Sequence, residues 1–177
     1  MHMNLARATF VVALLAVVGV GSYAMAGRGT NNVKDQLESY QEVPAISSNA
    51  SGNFEARIDD AGSIAWALSY ENLTGSVTQA HIHFGQTGVN GGISIWFCSN
   101  LPSPPAGVGP CPTPSGSLSG TATPANVLGP SGQGIGAGDF AEIVAAIRAG
   151  KAYANVHSTT YPGGEIRAQL NNESDDG

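Results

Sequence analysis

Much of the chain alternates apolar and polar residues with the period of two that a half-buried β-strand requires. Phe54, Ala56 and Ile58 interleave with Asn53, Glu55 and Arg57, and Ile64, Trp66, Leu68 and Tyr70 alternate again beyond Asp59-Asp60-Ala61-Gly62. Turn chemistry between two such runs predicts a β-hairpin. From Gln79 to Phe84 the two faces differ in kind: Ala80, Ile82 and Phe84 on one, His81 and His83 on the other. Ile93, Ile95 and Phe97 align in a strand that ends at Cys98. Two more strands are predicted late in the chain, Lys151–His157 with Ala152, Ala154 and Val156 on one side, and Glu165–Leu170 with Ile166, Ala168 and Leu170. Tyr161-Pro162-Gly163-Gly164 turns the chain between them.

The period switches once. Phe140, Ile143, Val144 and Ile147 are spaced for one face of a helix over residues 139–149, with Asp139 as N-cap, Glu142 completing a capping box and Gly150 closing the end. Before it, residues 99–137 are rich in Pro, Gly and Ser and show little periodicity. So long a structureless segment is unusual inside a compact domain, so a further strand is expected around Leu118.

Composition agrees with a turn-rich β protein. Only 11% of the 177 residues are charged and 24 are Gly, while 42% are hydrophobic, enough to bury a core. The net charge of −6, with seven Lys and Arg in all, excludes the basic footprint on which nucleic-acid affinity rests.

The chain opens with Arg7, an apolar run from Ala8 to Gly21, and Ala24-Met25-Ala26, the small-residue pattern of a signal-peptidase site. Residues 1–26 are therefore expected to be a signal peptide, since the run is short of the ~20 residues that span a bilayer. A secreted or periplasmic protein with no membrane span after cleavage follows. Its layout would be a polar lead over 27–36, one domain over 37–170 and an acidic tail over 171–177. In an oxidising compartment Cys98 and Cys111 are expected to form a disulfide stapling the start of the Pro/Gly-rich insertion; two unpaired thiols would leave that loop mobile.

Three histidines remain after cleavage: His81, His83 and His157. On a strand, residues i and i+2 share a face, so His81 and His83 can aim both rings at one point. His157 lies on the polar face of its own strand with Tyr153 and Asn155, and completes a candidate copper or zinc site if the two strands meet. Glu165 and Asn155 are candidates to orient the ligand rings, although Glu165 also suits a salt bridge with Arg167 or Arg57. The competing reading is a solvated polar face, or histidines that hydrogen-bond to nearby carboxylates and backbone, carrying no ion. The function would then be a metal-independent extracellular protein or matrix interaction, with Trp96 or Tyr161 as contacts. Catalytic residues are not identifiable. Ser158 follows His157 directly and points to the other face, which removes a nucleophile and base pair through strand geometry.

Several motifs in one order resemble the CHRD domain, a module named for chordin and found in exported microbial proteins. They are Gln41-Glu42-Val43-Pro44, Ala80-His81-Ile82-His83-Phe84-Gly85 with Gly88-Val89-Asn90-Gly91, and Ala152-Tyr153-Ala154-Asn155-Val156-His157-Ser158 followed by Tyr161 to Leu170. The resemblance spans Leu37 to Leu170 and implies an extracytoplasmic β-rich domain without a defined biochemical role. The His-Ile-His strand alone is also similar to the copper-ligand strand of copper/zinc superoxide dismutases, whose bridging histidine has no counterpart here. The expected fold is all-β, a Greek-key β-sandwich with one short α-helix near residues 139–149.

Overall fold

The computed structural model describes residues 32–59 and 61–171. The expected signal peptide, the first part of the polar lead and the tail beyond residue 171 lie outside the described residues. Eight strands form, β1 (Asn32–Glu38), β2 (Ser51–Asp59), β3 (Ser63–Glu71), β4 (Val77–Phe84), β5 (Gly92–Ser99), β6 (Gly116–Ala122), β7 (Ala152–Ser158) and β8 (Ile166–Gln169). One helix, α1 (Phe140–Arg148), precedes β7.

The all-β class with a single short helix is therefore found. The two layers of the expected sandwich are opposite walls of one sheet, ordered β5-β4-β7-β8-β1-β2-β3-β6 and antiparallel throughout. That sheet curls until it nearly closes. Phe97 on β5 lies 4.4 Å from Trp66 on β3 and 5.3 Å from Phe54 on β2, ring to ring across the interior. An unpaired edge is a liability in any open sheet. Here the chain beyond β6 returns to the free side of β5, where Ile95 bridges to Val127 and Leu128 N–H donates to Ser94 at 3.0 Å.

Alternation accounts for the core. Leu37, Phe54, Ile58, Ile64, Leu68, Ile82, Ile95 and Ile166 point inward and are at most 2% exposed, and Ile143 and Ile147 of α1 pack into the same cluster. Two expectations are corrected. The polar lead contains β1, which was hidden because only Val33 and Leu37 turn inward, with Asp35 between them. The Asp139 side chain makes no capping bond; its Oδ2 accepts from Gly136 N–H at 2.7 Å, so the capping box is absent. Gly150 does take the left-handed conformation that ends the helix, at φ 64°.

The strand expected around Leu118 is β6, which pairs along the length of β3 with Leu118 opposite Leu68. Its Gly, Ser and Thr content masked it, and Gly120 is small for a reason: a Cβ there would lie 2.8 Å from the Trp66 ring. Cys98 and Cys111 form the expected disulfide. The Asn100 side chain reinforces it, donating to Val77 O and Cys111 O and accepting from Cys111 N–H.

Candidate metal centre

β4, β7 and β8 are neighbours in the sheet, and their pleat sends Ala80, Ile82, Ala154, Val156, Ile166 and Ala168 into the core. His81, His83, Tyr153, Asn155, His157, Arg167 and Gln169 consequently share the opposite face. The solvated-face expectation fails there, because every residue of β7 and β8 is buried, polar ones included. Loops cover them. Gly91 and Pro162 carbonyls contact the histidines, Glu42 reaches Asn155, and Gln86 O accepts from Arg167.

The antiparallel register of β4 and β7 sets Gln79 opposite His157, His81 opposite Asn155 and His83 opposite Tyr153. It brings the three histidines together: ring centroids are 4.5 Å apart for His81 and His83, 4.6 Å for His81 and His157, and 6.1 Å for His83 and His157. One nitrogen from each lies within 4.8 Å of the others, and all three residues are buried.

Hydrogen bonds orient two of the rings. His83 Nδ1 is 2.9 Å from Gly91 O and His157 Nδ1 is 3.0 Å from Pro162 O. A carbonyl only accepts, so each Nδ1 carries the proton and each Nε2 presents a lone pair. Those two Nε2 atoms and both nitrogens of His81 are buried without any hydrogen-bond partner. Native proteins leave few buried polar atoms in that state, and here each of the three rings offers one nitrogen to a common point. Burial, as the main cause, drives the His83 pKa down to about 4 and lowers those of His81 and His157, so the imidazoles are neutral and able to ligate at neutral pH. The donor set fits copper or zinc, whose bonds to imidazole nitrogen are about 2.0–2.1 Å, once the rings close by about an ångström.

Neither residue expected to orient the rings does so. Glu165 accepts from Thr74 N–H and the Ser158 hydroxyl and pairs with neither Arg167 nor Arg57, while Asn155 donates to Glu42 and Ile166 O. Backbone carbonyls hold the ring N–H groups instead, a common arrangement behind metal-bound histidine. Trp96, expected as an exposed contact, is half-buried and meets His81 edge-on at 4.8 Å.

The contacts of other residues in this layer escaped the sequence reading. Tyr153 stacks on His83 at 4.6 Å and 7° from parallel, and the Arg167 guanidinium carbon lies 3.4 Å from the centre of the same phenol ring. Arg167 is 1% exposed, held by Gln86 O and the side chains of Asn90 and Gln169. Burial raises the Glu42 pKa to about 7 against the lowering pull of Asn155 and Arg167. The alternation of Arg167 and Gln169 with Ile166 and Ala168 was the available signal for these partners; Glu42 sits in a loop with no periodicity to read.

A curled, nearly closed antiparallel sheet with a buried three-histidine cluster on its outer wall defines a β-rich module with one preorganised polar site. The CHRD domain family model matches residues 33–170, most of the chain. The chain belongs to the CHRD family. Comparison with curated proteins and with solved structures gives no match. Among the described residues no helix is long and apolar enough to cross a membrane, and the disulfide fits an oxidising compartment.

Proposed function

We propose that this CHRD protein is exported and binds one copper or zinc ion through His81, His83 and His157. The observation that carries the reading is the convergence of unpartnered buried nitrogens: Nε2 of His83, Nε2 of His157 and one nitrogen of His81, one ligand atom from each residue, within 4.8 Å of one another. Leaving such atoms dry and unpaired costs free energy that a metal ion returns. The residues do the positioning. Gly91 O and Pro162 O fix two tautomers, Tyr153 braces the His83 ring and Trp96 walls off His81.

Elemental analysis of the protein recovered outside the cytoplasm, beside the His81→Ala/His83→Ala/His157→Ala variant, tests this directly. About one equivalent of metal is expected in the parent and none in the variant. Mass spectrometry of the same material should find Gly27 at its N-terminus. Metal-free protein that takes up neither added copper nor added zinc removes the binding reading, and an uncleaved chain retained in the cytoplasm removes export.

A further inference from the structure

The charge of the pocket separates monovalent from divalent ions. Three neutral imidazoles are the whole set of His, Cys, Asp and Glu donors that converge there among the described residues. The two cysteines are joined in the disulfide and supply no thiolate. A divalent ion would therefore keep its full charge in a site whose ligands are 0 to 7% exposed. The cost of burying an ion grows with the square of its charge, so a dication costs about four times as much as a monocation of similar size.

The surroundings push the same way. Carboxylates that accept a ligand's ring N–H draw negative charge toward a metal. Here both oriented rings donate to uncharged carbonyls. The buried carboxylates of this face are engaged elsewhere, Glu42 by Asn155 and Glu165 by Ser158 and Thr74. The charge that acts on His83 from beside the cluster is positive, since Arg167 lies over Tyr153 and Tyr153 stacks on His83, while Glu42 acts on Arg167 and Tyr153 and not on the histidine. Donor number is compatible as well. Cuprous copper is stable with three ligands, whereas zinc on three histidines needs a water as its fourth ligand and cupric copper a tetragonal set, in a site whose ligands are buried.

We propose that the His81, His83 and His157 site selects cuprous copper over zinc and cupric copper, with Arg167 a positioning residue that supplies discriminating charge through the Tyr153 stack. This rests on the three histidines being a metal site at all. The test strips the exported chain with a chelator and titrates it without oxygen, using Cu(I) in ascorbate against bathocuproine disulfonate, Zn(II) against a chromophoric zinc chelator, and Cu(II) without ascorbate followed by electron paramagnetic resonance. One Cu(I) held about 100-fold or more tightly than Zn(II) is expected. Arg167→Gln should shrink that ratio about tenfold, and Arg167→Lys, which keeps the charge without the planar stack on Tyr153, should retain more of it than Gln does.

Near-UV circular dichroism reports whether Arg167→Gln keeps its aromatic packing; if it does not, the parent ratio and the Lys variant decide. An unchanged ratio in a folded Gln variant overturns the role of Arg167. Zinc bound as tightly as Cu(I), or copper held only as paramagnetic Cu(II), overturns the selectivity and leaves the metal site standing. Binding of none of the three ions removes both.

Discussion

The His81 ring lies 4.6 Å from the His157 ring on the neighbouring strand, and neither nitrogen of His81 has a hydrogen-bond partner although the residue is fully buried. An imidazole serving only to pack the fold would be a poor choice there. Each unsatisfied buried polar atom costs about 1–3 kcal/mol. His81→Leu is therefore expected to raise the stability of the metal-free protein by about 1–3 kcal/mol while abolishing metal uptake. Urea denaturation in the presence of a chelator measures the first and a metal titration the second. A Leu variant less stable than the parent would mean that the ring nitrogens are satisfied in solution without metal.

The metal-free protein should weaken in acid. The unfolded histidines take up protons near 6.5, whereas burial holds folded His83 neutral down to about 4 and lowers the pKa of His81 and His157. Between those values the unfolded chain binds more protons, so stability falls as pH drops, by about 3 kcal/mol for His83 alone. Glu42 acts with the opposite sign. Its pKa is raised to about 7 in the fold, so the native state holds an extra proton below that pH and gains stability as pH falls toward 4.5. Glu42→Gln removes the opposing contribution, and its loss of stability between pH 7 and pH 5 should be steeper than in the parent. Denaturation midpoints at the two pH values decide this, and a parent that grows more stable on acidification contradicts it.

The site was half legible in the sequence. Period-two alternation placed His81 and His83 on one face of β4 and His157 on the polar face of β7, because side-chain direction along a strand is a local property. The pairing of β4 with β7 joins segments far apart in the chain and left no local mark. Nor did the covering of the polar face, since Glu42, Gly91 and Pro162 sit in loops whose positions depend on the whole fold. Glu165 shows how a residue type misleads: a buried carboxylate two residues from Arg167 looked like an ion pair, yet Glu165 bonds to Ser158 and Thr74 while Arg167 is held by Gln86, Asn90 and Gln169. β1 was concealed for a compositional reason, having few inward apolar side chains, and β6, with the same shortage, showed only through the length of the segment around Leu118.

The disulfide should be separable from the site. Cys98 and Cys111 tie the insertion to the end of β5, on a strand that contributes no histidine. Closing a loop of this length is worth about 3 kcal/mol, largely through the unfolded chain. The Cys98→Ala/Cys111→Ala variant is expected to lose about that much stability and to keep the parent's metal stoichiometry. Loss of the metal in a variant that is still folded would show that the staple shapes the histidine pocket as well.

Two glycines with left-handed backbones separate strain from crowding. Gly62, at φ 101°, has open space where a Cβ would project, so Gly62→Ala meets only the backbone penalty, about 1 kcal/mol. Gly164, at φ 130°, would put a Cβ 2.6 Å from Glu42 Oε1 and 2.9 Å from the Asn155 amide, forcing apart the contact that covers the polar face. Gly164 also belongs to the turn whose Pro162 carbonyl orients His157. Gly164→Ala is therefore expected to cost at least about 2 kcal/mol and to weaken metal binding about tenfold or more, with Gly62→Ala leaving the affinity unchanged. Parallel urea melts and metal titrations compare the pair. Equal affinities in the two variants would mean that the loop covering these histidines does not hold them in place for the ion.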